Sequence, residues 1–397
     1  MYNRFEKFTK LAVSLFLYSG AVLFSFAPYL SLRSSVTKII LYLLYFIFFC
    51  SFILFSFSIS FERKKIGKII LLYSFIFFYS FLGIKQAGLA AFVSSMTNFI
   101  IPIIFCTVLY ISNFNEKIVL KPIFNKFLII FTFCVLINCI YSIFTVFTFD
   151  GNLKNLYVFK TIDGNEYNYF RNGRLRAFGF LHNAVTLSNY LSICVVLYIN
   201  RIKLKKFFFS RIFILCIVLL TLFLTGSRTP ILSAFFSIVL LRIFDRKRNI
   251  IPFMSLLFIA FILITLAVTG KGDLSALGRV TQYLEAGSLF ILNPLGYGVG
   301  YAGYPKGVVS FDCASLVIIV NFGIMGFLYI LSIYKKVINK KRTDNRNLLG
   351  DGLIINLFIL SGFANVIHLG FLTLTFFIFF LDKKTQIRNN LGVHEKK

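Results

Sequence analysis

The chain has 397 residues, 58% of them hydrophobic and 14% charged, with a mean hydropathy of +0.84. A soluble core cannot absorb that much apolar surface, so the water-soluble classes are excluded. The formal charge of +28 first suggests nucleic acid, but membrane proteins concentrate Lys and Arg in cytoplasmic loops, and that bias accounts for the charge without a nucleic-acid partner.

In chain order, apolar runs long enough to cross roughly 30 Å of hydrocarbon are predicted at about 11–30, 38–60, 66–84, 89–111, 123–149, 184–200, 207–225, 230–244, 250–269 and 311–334. The stretch 353–381 is too long for one ordinary span and too short for two full ones. Gly362, Asn365, His368 and Gly370 interrupt it, so a short helical hairpin is expected, with a single long helix as the alternative. The fold class is therefore all-α, one integral membrane domain over 1–397 built as a polytopic bundle of about 12 transmembrane helices. Two connections exceed turn length, 150–183 and 270–310.

With a cytoplasmic N-terminus and alternating helices, 30 of the 42 basic residues fall in cytoplasmic segments and 12 outside, as the positive-inside rule requires. Both long loops then lie outside. The run after Lys10 shows no small-residue cleavage pattern and is expected to be a retained first helix. Cys50, Cys106, Cys134, Cys139, Cys194 and Cys216 lie inside apolar runs and read as small hydrophobes; Cys313 alone is near the outer surface.

The first outer loop carries Arg171, Arg174 and Arg176 shortly before Gly179-Phe-Leu-His-Asn183, where a helix begins. Arginines clustered on the face that is normally poor in them call for a partner, either a phosphate group or generic lipid headgroups. His182 reads as a polar interfacial residue or as a catalyst. Thr225-Gly-Ser-Arg-Thr-Pro230 is a tight turn between two membrane helices. Pro230 suits the first position of the second helix and Ser227 or Thr229 can cap it, which points free N–H groups outward beside Arg228. That is either an anion site or a capped turn whose Arg snorkels to headgroups.

In the second loop, Leu274, Leu277, Val280 and Leu284 recur at spacings of three and four, predicting an interfacial helix that presents Arg279 to water. Asn293-Pro-Leu-Gly-Tyr-Gly-Val-Gly300 follows, with alternate glycines that do not fit the dinucleotide fingerprint. Those glycines suit either a flexible turn or close backbone approach to a ligand, with Tyr297, Tyr301 and Tyr304 available to pack on sugar faces. Asp312 at the next helix start is an N-cap, or a base toward a substrate hydroxyl. The sequence holds no Walker motif, no HExxH, no GxSxG and no carboxylate pair within a span, so an ion-coupled transporter has little support.

The order of these motifs resembles the bacterial O-antigen polymerase and O-antigen ligase family of Wzy-type glycan enzymes. The resemblance rests on Gly179-Phe-Leu-His-Asn183, Thr225-Gly-Ser-Arg-Thr229, Gly278-Arg279, Pro294-Leu-Gly-Tyr-Gly-Val-Gly300, and Asp312 followed by Leu316, Gly323 and Gly326, across roughly 170–330. It implies a GT-C-like bundle in a bacterial plasma (inner) membrane. It also implies an undecaprenyl-pyrophosphate-linked oligosaccharide as donor and acceptor, and neither metal nor other cofactor. Chain-length regulators and flippases are the implied protein partners. Ligase-type members carry a His-Asn pair where this chain has Asp312-Cys313, which favours a polymerase over a ligase. The expected roles are catalysis by Asp312, Arg279 and His182, pyrophosphate binding by Arg228, Arg171, Arg174 and Arg176, and glycan contacts from Tyr297, Tyr301 and Tyr304. The alternative is a flippase or exporter of lipid-linked glycans.

Overall fold

A computed structural model describes residues 2–32, 35–58, 60–61, 63–113, 120–148, 170–171, 174–181, 183–201, 208–244, 274–303, 307–338, 348–363 and 372–381. The protein is all-helical apart from two-residue ladders, and six of its described helices are long and apolar enough to cross a membrane. These six reach Lys7–Ala27, Ser35–Ser58, Lys65–Ala87, Leu89–Ile111, Pro122–Thr148 and Ala314–Ser332. Large apolar side chains such as Phe57 (83% exposed) and Phe77 (76%) stand free on them, the surface expected where lipid rather than water is the solvent. The chain is thus a membrane protein. The expected span at 250–269 lies outside the described residues.

The residues fall into two compact units, the first drawn from Met1–Lys64, Phe105–Ile231 and Gly370–Lys397, the second from Lys65–Ile104 and Leu232–Leu369.

In the first unit, α1 (Tyr2–Leu32) packs against α2 (Ser35–Ser58) and α6 (Leu120–Thr148), and α8 (Phe208–Leu224) packs on α6 and α7 (Ala184–Arg201). With no hydrophobic drive between helices in lipid, close ring packing must supply the cohesion. Phe16 stacks on Phe48 and Phe55 at 5.2 Å each and meets Phe377 of the helix Leu372–Leu381 at 5.1 Å. Gly20 makes room, since a Cβ there would come within 3.0 Å of the Phe48 ring.

In the second unit, α3 (Arg63–Ala87) is followed by α4 (Leu89–Ser95), which runs through a π turn (Met96–Ile100) into α5 (Ile101–Ile111), the last residues of which belong to the first unit. Pro102 has no N–H to give, and the helix adapts by letting Ile101 N–H reach back to Met96 O. α9 (Arg228–Phe244), the first four residues of which belong to the first unit, meets α12 (Leu348–Phe363) through a buried bond from Ser233 Oγ to Asn356 Oδ1 at 2.8 Å. α10 (Leu274–Leu292) packs on α11 (Ala314–Ile338), which also contacts α12.

α11 is broken at Gly323, whose φ of 56° and ψ of −140° are not helical. The break frees backbone groups, and the segment after α10 takes them up. Tyr297 N–H donates to Val320 O at 3.0 Å, Gly298 N–H to Asn321 O at 2.9 Å, and Ile324 N–H to Pro294 O at 2.7 Å. The same segment leans on α3, where Val299 N–H donates to Tyr79 O and the Tyr79 hydroxyl donates to Leu295 O at 2.8 Å. Asn321 lies seven residues into α11, about 10 Å along its axis. Irregular backbone survives at that depth because protein satisfies every one of these groups.

Candidate functional site

In the first unit, α8 ends at Leu224 and α9 starts at Arg228, two residues earlier than a helix opening on Pro230. Pro230 is then the third residue of the helix, still among the four whose N–H lacks a partner inside it. Gly226, at φ 62°, makes the reversal. Arg176, only 8% exposed, fastens it: Nε donates to Thr225 O at 2.6 Å and Nη2 to Ser227 Oγ at 2.7 Å. Ala177 N–H donates to Leu224 O at 3.0 Å. The upstream loop therefore caps the carbonyl end of α8, and Arg176 spends donors on the turn itself. Arg228 is exposed at the first residue of α9, where its charge adds to the positive end of the helix dipole.

The backbone pairs Arg171 with Arg174 in a two-residue ladder; their side chains, like His182 and Tyr304 entirely, lie outside the described residues. Gly179–Leu181 forms a 3-10 turn that enters the helices. Its Phe180 N–H donates to Asn138 Oδ1 at 2.9 Å, and Phe180 stacks on Tyr141 at 4.3 Å. Asn138 is ten residues before the end of α6, about 15 Å along the axis. A Cβ on Gly179 would stand 2.8 Å from Asn138 Oδ1, and φ is 58°. Asn183 caps α7, its Oδ1 accepting from Val185 N–H at 2.8 Å and Thr186 N–H at 3.1 Å.

In the second unit, α10 has three faces. Val280, Leu284 and Ile291 form an exposed apolar stripe; Thr281, Glu285 and Ser288 form an exposed polar one. The third face carries Arg279, Gln282, Tyr283 and Ala286. The apolar stripe agrees with an interfacial helix, but Arg279 does not stand on a water-facing side. It is half-buried, and its Nε is buried with no hydrogen-bond partner. The reason is the heptad-like spacing of 279, 282, 283 and 286, which turns Arg279 with the packing face rather than away from it.

Asp312 and Cys313 precede α11. Cys313 occupies the N-cap place, its carbonyl accepting from Leu316 and Val317 N–H. Asp312 is exposed and held by Gln282 in a reciprocal pair: Gln282 Nε2 donates to Asp312 Oδ2 at 3.3 Å, and Asp312 N–H donates to Gln282 Oε1 at 2.9 Å. The Tyr283 hydroxyl hydrogen-bonds the Cys313 thiol. Burial, helped by Cys313 and opposed by Arg279, pushes the Tyr283 hydroxyl up to about 12. Burial also pushes the Cys313 thiol up, against Arg279 and Tyr283, which pull it down.

The glycines of the loop pack against protein backbone. Gly298 abuts Gly83, a Cβ on it coming within 2.1 Å of Gly83 N, and Gly300 abuts Phe92. Gly296 and Gly323 press on each other. Tyr297 and Tyr301 stack at 4.1 Å with 16° between planes, both half-buried. No motif marks Gln282, Tyr283 or Asn321 as site residues; spacing on α10 was the available signal for the first two, since 279, 282, 283 and 286 share one face. Among the described residues, no three His, Cys, Asp or Glu side chains gather as metal ligands would. Comparison with protein-family models and with curated proteins finds no match.

Proposed function

We propose that the chain is a metal-independent glycosyltransferase that polymerises undecaprenyl-pyrophosphate-linked oligosaccharide repeat units at the outer face of a bacterial plasma membrane. The observation that carries the reading is Arg279, whose buried Nε lacks an acceptor; Arg279 and Asp312 both act electrostatically on Cys313, and the Asp312 carboxylate is exposed. A buried guanidinium donor left unpaired is costly, and an anionic ligand removes the cost. The motif order from Gly179 to Gly326 supplies the substrate class.

An acceptor hydroxyl attacks the anomeric carbon of the donor, the bond from that carbon to the pyrophosphate oxygen breaks, and the pyrophosphate leaves with the bonding pair. Arg279 neutralises the leaving charge; Arg228, Arg171 and Arg174 are further candidates for that role. Asp312 accepts the hydroxyl proton, His182 being the second candidate. Arg176 contributes by fixing the turn that presents Arg228. Tyr297, Tyr301 and Tyr304 offer ring faces to sugar.

The test is the glycan profile of cells carrying Arg228→Ala or Arg279→Ala in place of the native chain, with membrane insertion verified. Single repeat units in place of polymer are expected; full-length polymer from both variants sinks the proposal. The broken helix α11 favours a second reading, since interrupted spans are common in transporters. A flippase would trap repeat units on the cytoplasmic side, and a ligase defect would release free polymer.

A further inference from the structure

We infer that Gln282 is the positioning residue for Asp312, an inference that rests on the reading of Asp312 as the group that takes the acceptor proton. Three observations carry it. First, the helix start does not use the Asp312 side chain, because Cys313 occupies the N-cap place. Second, the carboxylate is nonetheless fixed, by both ends of one carboxamide across 30 residues of sequence. Third, Gln282 engages Oδ2 alone, and among the described residues no group bonds Oδ1, so one oxygen is anchored and the other is available.

A carboxamide suits this task. It is neutral at every pH, and it offers a donor to the carboxylate and an acceptor to the backbone N–H at once. The pairing through Asp312 N–H sets the backbone as well as the side chain. Cys313, at the head of α11, is the titratable neighbour that interacts electrostatically with Asp312, and Arg279 and Tyr283 of α10 act on Cys313 in turn; none of the three bonds the Asp312 carboxylate. Gln282 therefore touches no reacting atom and acts through Asp312.

The experiment uses cells whose only copy is the full chain, native or variant, with polymer synthesis followed by pulse labelling while the medium, and with it the outer face, is stepped from pH 5 to pH 8. Gln282→Leu removes both bonds without adding charge and is expected to slow synthesis about 10-fold to 100-fold at every pH. Gln282→Glu sets a second carboxylate against the first, so the pair holds a proton to higher pH; its acid midpoint is expected to rise by about one pH unit, with synthesis restored toward pH 8. A role confined to folding would lower the amount of inserted protein in both variants and leave the midpoint where it was, which overturns the inference. If Asp312→Asn stops synthesis while both Gln282 variants behave as native, the inference fails and the reading of Asp312 stands. If Asp312→Asn makes polymer normally, that reading itself fails.

Discussion

Asn321 grips the backbone of Ala302 from both sides, its Nδ2 donating to Ala302 O and its Oδ1 accepting from Ala302 N–H, each at 2.8 Å. Both partners are buried. Asn321→Leu keeps the volume but leaves a buried N–H and a buried carbonyl unpaired, at a cost of about 1–3 kcal/mol for each group. The detergent-solubilised variant should melt well below the native chain; an unchanged melting temperature would show that the loop is not held there.

Two glycines of the second unit should behave unlike a third. Gly83→Ala would set a Cβ 2.0 Å from Val299 O, and Gly323→Ala would set one 2.2 Å from Pro294 O at a φ of 56°. Neither obstacle is a flexible side chain, so both variants should lose several kcal/mol or fail to accumulate in membranes. Gly278 has open space within 4 Å and lies in α10, so Gly278→Ala should raise stability by up to about 1 kcal/mol. Comparing expression and melting across the three checks this, and equal effects would contradict the packing described.

Arg176 is a structural cation. Arg176→Leu should cost about 2–4 kcal/mol, since two charge-assisted bonds go and Thr225 O is left buried. Arg176→Lys should recover only part, because one ammonium cannot reproduce the fork to Thr225 O and Ser227 Oγ. Thermal melts of the two variants report the order; a lysine variant as stable as the native chain would remove the fork from the account.

The Tyr283 and Cys313 pair predicts an alkaline weakness. Both groups titrate higher in the folded chain than their ordinary values of 10.0 and 9.0. A raised value means that the folded state holds the proton more tightly. The stability this contributes is complete below the ordinary value and drains away as pH rises through the folded one. Loss should begin above pH 9 for Cys313 and extend to about pH 12 for Tyr283. Tyr283→Phe has no proton to lose, so its melting temperature should fall less steeply than the native one between pH 9 and 11. Parallel curves would argue against the pair.

The helices were legible because lipid demands long apolar runs, and the predicted runs at 89–111 and 184–200 end within one residue of the helical segments found. The contacts that shape the candidate site were not, because each joins residues far apart in sequence. Arg176 reads as a spare cation until Thr225 and Ser227 are seen 49 and 51 residues on. The alternate glycines read as a flexible or ligand-binding loop; their partners Gly83 and Phe92 lie some two hundred residues earlier, with nothing in either stretch to announce the other. Gly323 is one of two glycines in an apolar run, and only the groups it frees reveal the break. For Arg279, Val280 and Leu284 do stand on an exposed apolar side, the side chains of Leu274 and Leu277 lying outside the described residues, but a helix with three environments has two further sides where a two-sided reading allows only one.

The break in α11 also constrains the order of assembly. The segment 294–302 precedes α11 in the chain, yet its hydrogen-bonding partners at Val320 and Asn321 exist only once that helix has entered the bilayer. During synthesis the segment must therefore wait, wetted by water, and then return to membrane depth between helices made much earlier and the one made just after it. Maturation of the second unit therefore includes a late docking step, taken after the residues at Val320 and Asn321 have been made.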